Sequence, residues 1–389
     1  MKKVKVAAVI AEFNPLHDGH RYILSKARSI TGVSHVLCVL SGNLVQRAEP
    51  SIEPKHARAE RAIHAGADAV IEIPTAFATG NAEVFAKAGV KIATSFAHVT
   101  HLVFGIESDN LKLLRLIAET QIKRKSDFEK YIATHLKKGI SFDKARTEVI
   151  KKLLPQISAD SIDKTMNTPN NILALEYIKE LVRLKSKVKP VGIKRMPNIP
   201  SASTIRREVQ FYQSDIFKAF GSLVLYGAMT RASEEIYNSN EELVNLLRNT
   251  HPTSYEELSK QIPTKRFSIS RIVRLALHST LGVTKRDVEH LYKNDWLPYT
   301  RLLAINMDAS DLFSAMCLNR KTPLLVRGNK IKPQESPYEK TLRDIDKRAE
   351  LLFESITGQR QTNIPRFVTR EPLTALAEGQ QANLFLPTP

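Results

Sequence analysis

Two histidines three residues apart, His17 and His20, stand in the run Glu12-Phe13-Asn14-Pro15-Leu16-His17-Asp18-Gly19-His20. On a first helical turn that spacing brings both imidazoles to one side. Gly19 removes a side chain and lets another group approach the backbone. Pro15 fixes φ just ahead of the turn. Two imidazoles beside free helix amides make a cradle for a phosphate that gains charge during reaction. The blander reading has one histidine cap the helix and the other face solvent. The ordered set Asn-Pro-x-His-x-Gly-His directly after a buried strand favours the cradle. A metal site is disfavoured, because no Cys, His or carboxylate at ligand spacing completes one nearby.

The elements that must hold this run are readable on both sides of it. Residues 4–11 are short, apolar and β-branched, as in a strand buried on both faces of a parallel sheet. Residues 21–30 carry Tyr22, Ile23, Ala27 and Ile30 at helical spacing. The run therefore sits on a strand-to-helix turn, where open α/β sheets bind ligands. Further strands are expected at 35–42, 68–74, 101–105 and 188–193, with helices at 54–66, 81–96 and from 170 to about 187. Each strand end offers polar groups to one edge: Gln46 and Arg47, Gly105, then Lys194 and Arg195. Glu72 inside the third strand is either functional or at an edge. Asn170 and Asn171 open a helix and read as caps. Ser201, Ser203, Thr204 and Arg206 open another, where hydroxyls, fresh amides and a guanidinium suit pyrophosphate; an ordinary Ser/Thr cap is the alternative.

This alternation predicts a doubly wound, Rossmann-type parallel sheet over residues 1–210, with a basic helical insert at about 110–168. From about Phe211 the strands are expected to stop, apart from a short candidate at 321–326. Residues 211–389 read as a mainly α-helical domain with basic patches around Arg271 and Arg274 and around Arg327, Lys330 and Lys332. The tail after about 375 reads as disordered.

Charge narrows the partners. The 389 residues carry 58 basic and 40 acidic side chains, a net +18. That excess calls for a polyanion, nucleic acid first, with a solvated basic surface as the alternative. Cys38 and Cys317 imply no disulfide framework. No signal peptide or membrane-length apolar run is visible, so the chain reads as cytoplasmic.

The histidine run resembles the HxGH signature of the nucleotidyltransferase superfamily, which acts at the α-phosphate of ATP. In its fuller form it is similar to that of the bacterial tRNA(Met) cytidine acetate ligase family, most strongly over residues 4–206. The resemblance implies catalytic His17 and His20. It implies an ATP site of Ile10, Ala11, Glu12, Phe13, Asn14, Pro15, Leu16, Asp18 and Gly19, joined by Gly105, Asn170, Arg195, Ser203, Thr204 and Arg206. It implies activation of acetate by ATP, with Mg²⁺ on the phosphates, and transfer of the acetyl group to N4 of the wobble cytidine of elongator tRNA(Met). The family pattern has a longer Gly/Tyr-His-Asp-containing segment after the Lys-Arg pair, where this chain has only Met196-Pro197-Asn198-Ile199-Pro200. Two rival readings share the motif or the charge: a small-molecule adenylyltransferase, and a non-catalytic RNA-binding protein on a nucleotide fold.

Overall fold

The sheet grows from strands whose alternate residues feed two separate cores. In the computed structural model, which describes residues 4–107, 110–196, 199–260, 262, 267–326, 336–360 and 362–370, β1 spans Val6–Ala11, β2 His35–Ser41, β3 Ala69–Ile73, β4 Val99–Ile106 and β5 Lys189–Lys194. Ala7 and Val9 face one core with Cys38, Leu24 and Ile63. Val6, Ala8 and Ile10 face the other with Leu37, Ile71 and Phe104. Burial on both faces explains why these strands read as unbroken apolar runs. Helices Asp18–Thr31 and Lys55–His64 cover the first face, while Ala82–Ser95 and Pro169–Arg183 are among those covering the second.

All five strands are parallel, in the order β5-β4-β1-β2-β3. Their carboxyl ends share one edge, which places the histidine run beside Gly105 and Arg195. The expected insert forms four helices, from Leu111–Lys123 to Ala159–Met166.

One expectation is corrected. The strands do not stop at Phe211: β6 (Thr300–Asn306) joins the sheet antiparallel to β3, flanked by β7 (Leu324–Leu325) and β8 (Arg366–Val368). The chain's second half thus completes the sheet of the first. β6 pairs Arg301 with Glu72 across the ladder, and this pairing accounts for the carboxylate in a core strand. Glu72 and Arg301 meet at 2.8 Å, Lys55 reaches Glu72 at 2.9 Å, and Glu350 bridges Lys55 at 2.7 Å and Arg301 at 3.1 Å. Glu72 is neither at an edge nor on the cavity described below. Arg327, Lys330, Lys332 and the tail after 375 lie outside the described residues.

Candidate active site

After β1 the chain turns sharply at Phe13, whose backbone is left-handed (φ 48°) and whose ring is buried. That conformation costs a non-glycine residue about 1–3 kcal/mol and persists only where neighbours impose it. Here they do. Arg206 Nη1 donates to the Asn14 carbonyl at 2.5 Å, the Ile52 N–H donates to Asn14 Oδ1 at 2.8 Å, and Arg58 donates to the Glu12 carbonyl. Asn14 Nδ2 has no protein partner among the described residues.

The first helix starts immediately afterwards, with His17 as N-cap. Its Nδ1 accepts the Gly19 N–H at 3.1 Å, and His20 Nδ1 accepts the His17 N–H at 3.3 Å. This is a capping box built from two imidazoles in place of the usual hydroxyl and carboxylate. A ring nitrogen that accepts carries no proton, so the neutral tautomer of each ring bears its proton on Nε2. Both rings stay neutral well below the ordinary histidine range. Burial, then Arg195, pushes His17 down to about 4 against the pull of Asp18; burial, then His17, pushes His20 down as well. The rings stack with centroids 3.8 Å apart and planes 28° from each other, and neither Nε2–H is used by the cap. Gly19 serves this geometry directly. A Cβ there would lie 2.8 Å from His17 Cε1, so the group needing the close approach is the capping ring itself.

The histidines line a cavity of about 1350 Å³ at the carboxyl edge of the sheet. Ile10 to Asn14 and Gly19 line it too, and so do Gly105, Asn170, Arg195, Ser203 and Arg206. Pro15, Leu16, Asp18 and Thr204 are not on its wall. Leu16 is buried in the core under the first helix, Asp18 is exposed near Arg21, and Thr204 pairs with Ser201 at the helix start. Arg206 is buried and bonds Asn14, Ser203 and Tyr212. Arg195 donates to the Ile199 carbonyl at 2.9 Å. A Cβ on Gly105 would touch Ile23 at 3.3 Å.

The asparagine pair separates cleanly. Asn171 is fully buried, accepting the Glu107 N–H at 3.0 Å and donating to the Thr165 carbonyl at 3.1 Å. Asn170 lines the cavity and donates to Glu107 Oε1 at 2.9 Å. The capping role expected of both from the sequence is corrected: neither caps the helix, whose N-cap is Thr168, with no side-chain cap bond.

Several cavity residues went unrecognised in the sequence. Leu173, Glu176 and Tyr177 follow Asn170 at helical spacing and share its wall, a signal present in the 3.6-residue period. Arg271 and Arg274, expected on an RNA-facing patch, line the cavity; Arg274 donates to the Gly80 and Gln46 carbonyls. Arg146 and Gln121 reach it from the insert. Among the described residues no cluster of His, Cys, Asp or Glu could hold a metal ion, and no helix is long and apolar enough to cross a membrane.

A parallel sheet with a histidine-capped helix at its carboxyl edge defines a nucleotidyltransferase-type protein, and the family described as HIGH Nucleotidyl Transferase matches residues 4–215 and 199–365. Known proteins narrow the class. The tRNA(Met) cytidine acetate ligase of Acetivibrio thermocellus is 31% identical over 368 residues, covering 83% of this chain and 88% of its own. That of Caldicellulosiruptor saccharolyticus is 34% identical over 345 residues, covering 78% and 82%. Two crystal structures of Thermotoga maritima TmcAL superpose closely. One, bound with alpha-thio ATP, has TM-score 0.83 at 27% identity and covers 93% of this chain and all of its own; the apo form has TM-score 0.86 at 26% identity. The chain belongs to the tRNA(Met) cytidine acetate ligase family.

Proposed function

We propose that this protein activates acetate with ATP and transfers the acetyl group to N4 of the wobble cytidine of elongator tRNA(Met). The observation that carries the chemistry is the stacked pair of neutral imidazoles, each with its Nε2 proton free of the cap. ATP, entering as its Mg²⁺ complex, lies along the sheet edge. An acetate oxygen attacks the α-phosphorus in line and pyrophosphate leaves. His17 and His20 donate to the non-bridging oxygens as charge builds, with no reorganisation of the site. Arg195, Ser203 and Arg206 hold the polyphosphate, the last through a network that also fixes Asn14. Gly105 and Asn170 flank the nucleoside. The cytidine N4 then attacks the acetyl carbonyl and AMP leaves. The wobble base lies in a loop and is presented unstacked.

The assignment of individual site residues is our reading, as is the division into an ATP-binding part over 1–210 and a tRNA-facing helical part over 211–389. So is a cytoplasmic location, where ATP and tRNA meet. The test is incubation with ATP, Mg²⁺, labelled acetate and unmodified tRNA(Met), followed by digestion and mass analysis. Labelled N4-acetylcytidine that disappears in His17→Ala and His20→Ala supports the reading. ATP turnover on a small phosphate acceptor with the tRNA unlabelled would favour an adenylyltransferase instead.

A further inference from the structure

We propose that the insert side of the cavity receives the target cytosine, with buried Arg146 reading its edge and exposed Phe142 stacking on its face. This deepens the ligase reading and rests on it.

The insert's cations stand apart from one another in burial. Lys112, Arg115, Lys123, Lys130 and Lys144 are exposed, whereas Arg146 is buried. Its side chain is 8% exposed, yet among the described residues its hydrogen bonding amounts to one long contact, 3.3 Å to Asp143, a carboxylate itself 82% exposed. Arg146 Nε has no partner among the described residues. A guanidinium carries five donors, and burying it without acceptors is expensive. Gln121, also buried and on the same cavity, leaves its Nε2 without a partner among the described residues as well. Two under-used donors that the insert presents to the cavity point to an acceptor-bearing ligand.

Further features say which ligand. Phe142 lies on the cavity 50% exposed, with the Arg146 guanidinium 5.8 Å from its ring. An open aromatic face beside a cation is a stacking platform for a base. Glu176 lines the cavity from the helix Pro169–Arg183, within the field of the Arg146 charge, its carboxylate held by Lys179 at 2.5 Å. Cytosine presents two acceptors, O2 and N3, and one donor, N4. The two donors match the acceptors and the carboxylate matches the amine. Uracil reverses the pattern at N3 and O4. Acetate has no donor and no face to stack. The cavity, at about 1350 Å³, also exceeds the roughly 300–1,000 Å³ of a single small-molecule site. With ATP at the histidine end, space remains for a second group.

The experiment splits the two half-reactions in the full chain. Acetate-dependent ATP–pyrophosphate exchange without tRNA reads activation; acetylation of tRNA(Met) transcripts reads transfer. Phe142→Ala, at an exposed position, is expected to raise the KM for tRNA about tenfold through lost stacking. Arg146→Ala is expected to lower transfer roughly ten- to hundredfold. Exchange should persist in both, and Arg146→Lys should restore transfer only partly. A parallel fall of exchange and transfer would move these residues into the ATP or acetate site and overturn the proposal. Unchanged transfer in both alanine variants would overturn it too. Should Arg146→Ala fail to fold, Phe142→Ala decides alone. A wild-type protein that neither exchanges nor acetylates overturns the ligase reading and the subsite together, whereas normal wild-type activity with insensitive variants overturns the subsite only.

Discussion

His17 and His20 cap their helix through Nδ1, and that is what leaves Nε2–H free for a phosphate. Capping and the proposed catalysis, rivals on the sequence, call on opposite ends of the same ring. The motif was legible because its residue types and spacing permit few alternatives. The tautomers were not, because they depend on which backbone N–H each ring meets. The neutral state is testable. Burial and Arg195 hold His17 near 4, so its carbon-bound ring protons, followed by NMR in the free protein, should titrate with a midpoint about 4 and not near 6.5. The sign for stability follows: an unfolded histidine takes up its proton at about 6.5, so this contribution is whole above that pH and is lost as pH falls towards 4. A midpoint near 6.5 would mean a solvated imidazole and no fixed donor. Gly19→Ala should also act through His17, since its Cβ would sit 2.8 Å from the ring. We expect the ring to swing off its cap and pyrophosphate exchange to fall about 10²–10³-fold, as when one oxyanion donor is removed. Exchange within twofold of wild type would show that the ring adapts.

At the scale of elements, β6 shows where sequence reading stops. The five parallel strands were legible as apolar runs between helices in regular alternation. β6 is also fully buried, but it carries Arg301 and follows a run of helices, so its period is interrupted where the signal is needed. The compensating carboxylate, Glu72, lies 229 positions earlier in the chain. Each charge looked anomalous alone; together with Lys55 and Glu350 they form a buried network that fastens the chain's second half to the sheet. Burial alone would raise the Glu72 carboxyl, but Lys55 and Arg301 hold it below the usual carboxylate range. Glu72→Gln leaves buried cations under-compensated and should cost roughly 3–5 kcal/mol at pH 7. Because the folded pKa is the lower one, that contribution is whole above about pH 4.3 and is lost as pH falls further. Urea unfolding of both proteins at pH 7 and pH 3.5 checks this. The gap should narrow at the lower pH, and an equal gap at both would assign the loss to packing.

Across the whole molecule, two kinds of cation do different work. Arg195, Arg206 and Arg274 are tied by hydrogen bonds to the cavity's own backbone, which fixes their charges in place around the site proposed for ATP. The lysines and arginines of the insert, exposed at Lys123, Arg124, Lys125, Lys130, Lys137, Lys138 and Lys144, make few such bonds and contribute to the net +18. Scattered exposed lysine is ordinarily solvated surface. Here the insert forms part of the cavity wall, so a polyanion delivering a base to the site would pass along these charges. The two kinds respond differently to salt. Contacts between exposed cations and phosphates release counterions, so tRNA affinity should fall linearly in log–log form, with a slope of roughly −0.7 to −0.9 per phosphate neutralised. Acetate-dependent pyrophosphate exchange, which needs only the cavity, should change little over the same range. Charge reversal at Lys130 and Lys144 should flatten the tRNA slope by about one unit per lost contact and leave exchange as it was. A tRNA affinity indifferent to salt would mean that the basic surface is only solvated and that the RNA is held by the cavity mouth alone.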